Sequence, residues 1–234
     1  MKGKLYMVPI TLGSDKVQEI IPSEVLKKTV ELRYFIVENI RTTRRYLRML
    51  DKSFPIDETQ FFELNKHTQP RQIESYLKPL LSGNDMGVIS EAGVSGVADP
   101  GADVVKLAHK NGITVVPFVG PSSILLSVMA SGLNGQNFAF NGYLPVKSPE
   151  RIKRLKFLEK RSITENQSQL FIETPYRNNA MFDDILKACN PETKLCIATD
   201  ITMPGEFIKT DSIKNWKRKK PDLNKHPTVF VIQG

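Results

Sequence analysis

Short apolar runs rich in β-branched and aromatic residues alternate along the chain with longer segments whose apolar side chains recur every three or four positions. Residues 5–10 predict a buried first strand, and residues 34–37 predict another of the same character. Residues 41–50 carry Tyr46 and Leu50 at helical spacing and predict a helix. Strands that alternate with helices favour an α/β protein with largely parallel sheets covered by helices.

The same pattern extends over the rest of the chain and divides it into two parts. Further strands are predicted at residues 61–64, 86–89, 113–117, 138–141, 170–172, 194–198, 207–208 and 228–232. Further helices are predicted at residues 22–30, 70–81, 99–110, 122–130, 151–160, 178–188 and 211–217. Because one strand ends and the next helix begins near residues 118–120, we predict two α/β domains, residues 1–118 and residues 119–234.

The composition is that of an ordinary globular protein. Of the 234 residues, 40% are hydrophobic and 25% are charged, and no run approaches the ~18 consecutive apolar residues of a membrane span. The N-terminus has no signal-peptide core, and Cys189 and Cys196 are the only cysteines. We therefore expect a cytoplasmic protein without a membrane segment, a disulfide framework or a metal site.

Basic side chains exceed acidic ones, chiefly in the second half. The net charge is +8; residues 1–118 hold 16 basic and 14 acidic side chains, whereas residues 119–234 hold 17 and 11. Residues 147–161 and 214–220 concentrate this excess. A basic face attracts polyanions, but the same pattern is typical of a solvated helix face, and both interpretations stay open.

The segment most informative about chemistry is SEAGVSGVADPG, residues 90–101. It follows an apolar strand and precedes a helix, which is where open α/β sheets bind ligands. Its small residues allow a ligand to approach the backbone, and Asp99 with Pro100 is suited to begin the next helix. On these residues alone, a plain strand–turn–helix connection explains the pattern at least as well.

Two later segments have a similar character. Residues 115–123 (VVPFVGPSS) end a strand and begin a helix that Ser122 or Ser123 can cap. Residues 171–177 (FIETPYR) place polar side chains at the end of a strand, although Thr174 could simply open the next helix.

Other common signatures are missing from the sequence. There is no glycine-rich dinucleotide fingerprint, no P-loop and no Gly-x-Ser-x-Gly elbow. His67, His109 and His226 form no metal-binding pattern, and we expect each to be a surface or loop residue. These absences argue against an NAD enzyme, a P-loop ATPase and a hydrolase of those classes.

Six segments form an ordered series of motifs. They are LYMVP with LGS in residues 5–14, ENIRTT in 38–43, the whole of 90–101, VPFVGPSS in 116–123, FNGYLP in 140–145 and ETPYR in 173–177. In order and spacing this series resembles the tetrapyrrole methylase family of S-adenosylmethionine-dependent methyltransferases (class III). The most similar branch is the one that 2′-O-methylates a ribose in bacterial 16S ribosomal RNA.

The resemblance implies two α/β domains that bind S-adenosylmethionine in a cleft between them, usually as a homodimer. It assigns cofactor contacts to Leu12, Gly13, Ser90, Glu91, Ala92, Gly93, Val94, Ser95, Pro121, Ser122, Ser123, Thr174 and Thr228. It assigns substrate contacts to Arg177 and Asp200, and catalytic candidates are Glu38, Glu173 and Arg41. Glu38 or Glu173 would position or deprotonate the nucleophile, although an ion pair or a helix cap explains each carboxylate equally well.

Several residues depart from the motifs of the RNA branch. Asn39 and Ile40 stand where that branch has aspartate and threonine, residues 199–202 read TDIT in place of Arg-Glu-Leu-Thr, and residues 225–227 read KHP in place of Lys-Gly-Glu. We therefore expect ribosomal RNA or the small ribosomal subunit as the partner but keep two alternatives. One is methylation of a tetrapyrrole or corrin intermediate, and the other is a non-catalytic protein that binds RNA or a protein partner.

Overall fold

The computed structural model describes residues 1–65 and 68–234, so His67 lies outside the described residues. The chain divides into two compact units, Met1–Ser122 (unit 1) and Ser123–Gly234 (unit 2). Each unit contains a five-stranded sheet together with helices, which confirms the predicted α/β class. Within the described ranges, no helix is both long enough and apolar enough to cross a membrane.

Unit 1 is built on a parallel sheet. Its strands are β1 Leu5–Val8, β2 Tyr34–Val37, β3 Gln60–Glu63, β4 Met86–Ile89 and β5 Val115–Pro117. They lie in the spatial order β3-β2-β4-β1-β5, and each of these neighbouring pairs is parallel. The helices are α1 Val17–Ile20, α2 Ser23–Glu31, α3 Ile40–Leu50, α4 Pro70–Tyr76, α5 Lys78–Leu81 and α6 Gly101–Lys110, with a 3₁₀ turn at Ile56–Glu58.

The sheet of unit 1 has an apolar core on each face. All four residues of β1 are buried. Leu5 and Met7 pack into one hydrophobic cluster, whereas Tyr6 and Val8 pack into another. Successive side chains of a strand point to opposite faces, so a strand covered on both sides must be apolar throughout. This requirement explains why the first strand is a continuous apolar run.

The single helix predicted at residues 70–81 is two helices. The first, α4, ends at Tyr76, and the second, α5, begins at Lys78. Pro79 has no N–H to donate to the carbonyl of Ser75, and its ring crowds the preceding turn. The proline therefore interrupts a helix that the apolar spacing alone would continue.

Unit 2 contains a mixed sheet. Its strands are β6 Phe138–Tyr143, β7 Ser168–Ile172, β8 Lys194–Thr199, β9 Phe207–Ser212 and β10 Thr228–Gln233. They lie in the order β6-β7-β10-β8-β9. The helices are α7 Ser123–Ser131, α8 Ser148–Glu165, α9 Asn178–Ala188 and α10 Ile213–Trp216, with a 3₁₀ turn at Pro175–Arg177.

The expectation of largely parallel sheets is wrong for unit 2. Its β6 and β7 are parallel, but β10 is antiparallel to both β7 and β8, and β8 is antiparallel to β9. The long helix α8 allows the parallel crossover from β6 to β7, whereas residues 200–206 form a turn too short for one. Because β9 pairs with β8 along its whole length, the strand predicted at 207–208 extends to Ser212, and the following helix shortens to Ile213–Trp216.

A buried ion pair joins α8 to α9. Arg151 is 4% exposed and Asp184 is 2% exposed, and the Nη2 and Nε atoms of Arg151 donate to Oδ2 of Asp184 at 2.6 and 2.9 Å. Ser148 donates its hydroxyl to the other carboxylate oxygen, and the carbonyl of Val146 accepts from Nη1. These contacts satisfy charges that would otherwise be costly to remove from water.

Asp184→Ala is expected to lower the free energy of unfolding by about 3–5 kcal/mol, because it leaves the Arg151 guanidinium buried without its main partner. The neighbouring Asp183→Ala is the matched control, since its ion pair with Lys220 is about half exposed and contributes at most about 1 kcal/mol. Urea titrations of both variants measure the difference. Equal losses of stability would contradict this account of α8–α9 packing.

Candidate functional site

The carboxyl ends of the strands of unit 1 lie at one edge of its sheet. We call the loops that follow β1, β4 and β5 the strand-end loops of unit 1: residues 9–14, 90–100 and 118–122. The first two are hydrogen-bonded to each other, since the N–H of Ile10 donates to the carbonyl of Gly93 at 3.0 Å and the N–H of Gly93 donates to Thr11 at 3.4 Å. Ligands of open α/β sheets bind at this edge.

Gly93 is the point at which all three strand-end loops meet. Its φ is +69°, and a Cβ at this position would lie 3.0 Å from both Leu12 Cδ2 and the carbonyl oxygen of Pro121. Gly120 is equally constrained, because a Cβ there would overlap the ring of Pro9. Only glycine permits this approach, and Gly93 is buried where the loops meet, whereas Gly13, Glu91 and Ala92 beside it are exposed.

Polar side chains fix the rest of the loop after β4. The hydroxyl of Ser95 lies 3.1 Å from the carbonyl of Val8 and 3.0 Å from that of Val88, so it joins two neighbouring strands. Asp99 accepts from the N–H groups of Gly96 and Gly101 at 2.8 and 2.7 Å. The helix α6 begins at Gly101, so Asp99 does satisfy its first N–H, whereas Pro100 flanks the helix instead of opening it.

Glu38 lies at the end of β2, on the same edge. Its Oε2 accepts from the N–H of Glu91 at 3.2 Å, and with Glu91, Ala98 and Asp99 it lines an open depression. Burial raises the pKa of the Glu38 carboxyl above its ordinary value; the N–H of Glu91 partly offsets this, and the charges of Glu91 and Asp99 add to it. Burial also raises the pKa of the Asp99 carboxyl, despite its backbone donors. A carboxylate with a raised pKa can exchange a proton closer to neutral pH.

Asn39 caps the helix that follows Glu38. Its Oδ1 accepts from the N–H groups of Arg41 and Thr42 at 3.0 and 3.2 Å, as an aspartate would. This departure from the family motif therefore keeps the cap of α3 while removing a negative charge. Arg41 is exposed in the first turn of α3.

In unit 2, polar residues collect at the edge where β7 and β8 end and β10 begins. Thr174 follows β7, and the hydroxyls of Thr199 and Thr228 are 3.1 Å apart on paired strands. The N–H of Asp200 donates to the carbonyl of Pro227 at 3.0 Å. The predicted contacts Thr174, Thr228 and Asp200 thus lie at one edge, although they are far apart in sequence.

Glu173 forms the ion pair that the sequence allowed as an alternative to catalysis. Its side chain is 1% exposed, and its Oε1 accepts from Arg177 Nη2 and from the N–H of Thr174, each at 2.7 Å. Its Oε2 is 3.9 Å from Arg151 Nη1 and has no hydrogen-bond partner in the described part of the chain. The geometry favours a role in holding Thr174 and Arg177, whose side chain is 41% exposed.

The histidine at residue 226 has a partner that sequence reasoning missed. His226 Nδ1 lies 2.6 Å from Oδ2 of Asp200, whose side chain is 8% exposed, while the imidazole itself is 49% exposed. The backbone φ is +51° at Asp200, +67° at Thr202 and +67° at Lys225. Non-glycine residues seldom adopt this region, and such strain, of order 1 kcal/mol or more each, collects at functional sites. In the sequence, the only indication of this pair was that residues 225–227 read KHP and depart from the motif of the RNA branch.

The predicted site residues therefore fall into two groups. Unit 1 holds Leu12, Gly13, Glu38, Arg41, Ser90–Ser95, Pro121 and Ser122 around its strand-end loops, and unit 2 holds Ser123, Glu173, Thr174, Arg177, Asp200 and Thr228. Ser123 is the first residue of α7, close to the helix start predicted from the sequence. Their contacts with a cofactor or substrate stay predictions. The described residues contain no cluster of three His, Cys, Asp or Glu side chains suited to a metal ion.

Three sequence relatives of the chain share a name. The chain is 25% identical over 236 residues to the ribosomal RNA small subunit methyltransferase I of Escherichia coli O157:H7, covering 100% of this chain and 78% of the relative. It is 28% identical to the protein of that name from Vibrio cholerae, covering 98% and 77%. It is 30% identical to the protein of that name from Pasteurella multocida, covering 74% of this chain and 62% of the relative. No protein-family model matches the chain.

Solved structures share the fold across almost the whole chain. The methyltransferase CobJ superposes with a TM-score of 0.65 at 12% identity, covering 99% of this chain and 94% of that one. The cobalt precorrin-4 methyltransferase CbiF, a cobalamin biosynthetic enzyme, gives 0.63 at 14% identity, covering 98% and 94%. These likenesses concern the fold, whereas the sequence similarity described above is to ribosomal RNA methyltransferases.

Sequence relatives and fold relatives alike are methyltransferases. The resemblance proposed from the six motifs is thereby confirmed: the chain is a methyltransferase, homologous to the proteins named ribosomal RNA small subunit methyltransferase I, with the fold of CobJ and CbiF.

Proposed function

We propose that the chain transfers the methyl group of S-adenosylmethionine to a ribose 2′-hydroxyl in the RNA of the small ribosomal subunit, in the cytoplasm. The substrate follows from the name of relatives that match along nearly the whole chain. The structural observation that carries the proposal is the convergence of the strand-end loops of unit 1 on Gly93. The loops lie at the carboxyl edge of a parallel sheet, where a ligand can reach the exposed residues Gly13, Glu91 and Ala92.

The proposed cofactor contacts divide between backbone and hydroxyl groups. Beside the buried Gly93, a ligand meets the backbone of Gly13 and Ala92, which are exposed and carry no side chain or only a methyl group. In unit 2, Thr174 and Thr228 supply hydroxyls, and Thr228 donates its own to the carbonyl of His226 at 2.9 Å. Fixed donors and acceptors of this kind hold a cofactor in one orientation at little cost on binding.

Methyl transfer from a sulfonium is an in-line displacement, so the protein mainly aligns the attacking oxygen with the methyl carbon. We assign the positioning of the ribose to Glu38, whose carboxylate faces the open depression beside Asp99. Glu173 instead fixes Arg177 and Thr174 through its buried carboxylate. We assign phosphate contacts to Arg41, which is exposed, and to Arg177, whose side chain is 41% exposed.

Glu38→Gln is expected to lower the turnover number by roughly 100-fold or more while leaving the affinity for S-adenosylmethionine unchanged, since it removes the charge that orients the hydroxyl. The measurement is transfer of a labelled methyl group to isolated small ribosomal subunits, with cofactor binding followed by calorimetry. Glu74→Gln, at an exposed position of α4, is the matched control and should be fully active. Unchanged turnover of Glu38→Gln would contradict the role assigned to Glu38. Methylation of corrin intermediates in place of subunits would contradict the assignment of an RNA substrate.

The long helix α8 presents a basic face with an aromatic ring, as RNA-binding surfaces do. Lys153, Lys156 and Lys160 are exposed at successive turns, and the described residues offer none of them an acidic partner within salt-bridge distance. Phe157 lies among them, 49% exposed, with the guanidinium of Arg154 5.0 Å from its ring centroid. Unneutralised cations attract phosphates, and an exposed ring can stack on a base.

Replacing Lys153, Lys156 and Lys160 together with glutamine is expected to weaken binding to small-subunit RNA by at least ~10-fold at low salt. The slope of log affinity against log salt should fall by about 2, because fewer counterions are released. The control replaces Lys16, Lys27 and Lys110, three exposed lysines of unit 1, in the same way. If both triple variants bind equally well, α8 is a solvated face and not an RNA contact.

We also propose that the chain forms a homodimer in which α7 contributes to the interface. This helix, SILLSVMAS, has no charged residue, and its buried residues are Ser127 and Ser131. Met129, by contrast, is 77% exposed. An exposed apolar helix face is typical of a surface that another subunit covers.

Met129→Glu is expected to sediment at the mass of one chain, whereas the natural chain sediments at the mass of two, because a carboxylate cannot be buried unpaired in an apolar interface. Met49→Glu, at a partly exposed position of α3, serves as the control and should leave the mass unchanged. A natural chain that sediments as one copy at high concentration would contradict the proposal.

A further inference from the structure

We propose that His226, held by Asp200, accepts the proton of the substrate hydroxyl during methyl transfer. The inference rests on the proposed function and adds a residue that neither the motifs nor the names of the relatives assign. It also changes the role of Asp200, which the motif resemblance placed in direct contact with substrate.

The pair lies at the same edge of unit 2 as the proposed cofactor contacts. His226 comes two residues before β10, and its carbonyl accepts from the hydroxyl of Thr228 at 2.9 Å and from Asn178 Nδ2 at 2.7 Å. The N–H of Asp200 donates to the carbonyl of Pro227 at 3.0 Å, which ties the end of β8 to the start of β10. The backbone on both sides of the pair is therefore fixed by hydrogen bonds.

The geometry orients the imidazole for proton transfer. Oδ2 of Asp200 is 2.6 Å from Nδ1 of His226, and an ionised carboxylate can only accept, so Nδ1 carries the proton. In the neutral ring, Nε2 is then the acceptor. The ring is 49% exposed while the carboxylate side chain is 8% exposed, and Nε2 makes no hydrogen bond to the described residues. A buried acid that orients a half-exposed histidine is the arrangement of a general base.

The strained backbone supports a functional role over a structural one. Asp200 itself, Thr202 two residues after it and Lys225 next to His226 all have φ between +51° and +67°. Thr202 is β-branched, for which this region is especially unfavourable, and its hydroxyl is buried without a partner among the described residues. A hydrogen bond that served only to join two loops would not require three strained residues beside it.

The proposed step balances in atoms and charge. The substrate oxygen forms a bond to the methyl carbon while the carbon–sulfur bond breaks, and its electron pair stays on sulfur as a neutral thioether. The hydroxyl proton passes to Nε2 of His226. The resulting imidazolium is paired with the Asp200 carboxylate through Nδ1 and later releases its proton to water.

The test uses the full chain, S-adenosylmethionine and isolated small ribosomal subunits. His226→Ala is expected to lose at least ~100-fold in turnover number, with the melting temperature and the affinity for S-adenosylmethionine unchanged, and added imidazole should restore activity. Asp200→Asn should also lose turnover, because an amide can donate to Nδ1 and move the proton to Nε2. His109→Ala and Asp57→Asn, both at exposed positions of unit 1, are the matched controls and should stay active.

Several results would overturn the proposal. His226→Ala with activity close to that of the natural chain does so directly. Loss of activity without rescue by imidazole, together with weaker cofactor binding or a lower melting temperature, assigns the pair to structure instead. A natural chain that transfers no methyl group to the subunits overturns the proposed function as well, whereas an active natural chain with an equally active variant overturns this inference alone.

Discussion

The close approach of three loops at Gly93 is the constraint on which the site in unit 1 depends. The N–H of Ile10 donates to Gly93 and the N–H of Gly93 donates to Thr11. The glycine has no space for a side chain between Leu12 and the carbonyl of Pro121. Because these loops leave from adjacent parallel strands, the two-sided apolar core of the sheet fixes their separation. The fold thus creates a strand edge with small exposed residues beside the buried glycine, and Glu38 adds a carboxylate whose pKa is raised by burial.

Unit 2 differs from unit 1 in that buried carboxylates hold charged side chains in place at the edge of its sheet. Arg151 and Asp184 form a buried ion pair close to Glu173, and Arg177 and Thr174 are held by the Glu173 carboxylate, which solvent does not reach. Asp200 does the same for His226. In both cases a buried carboxylate fixes the orientation of a more exposed basic side chain.

Much of this could be predicted from the sequence, and the exceptions have physical causes. The local sequence pattern was enough to predict the apolar strands, because a strand buried on both faces must be apolar throughout. It was also enough to predict the loop at residues 90–101. The antiparallel pairing of β10 was not predictable, since strand direction depends on contacts between residues far apart in the chain. The Asp200–His226 pair was missed for the same reason, as 26 positions separate its members. Local spacing also could not show that Glu173 is buried in an ion pair.

The most direct test of the central claim is a crystal structure of the chain grown with S-adenosylhomocysteine, the product of the donor. Density for this ligand is expected against the strand-end loops of unit 1, beside Gly13 and Ala92. Ligand bound at another surface, with the strand-end loops of unit 1 bare, would contradict this expectation.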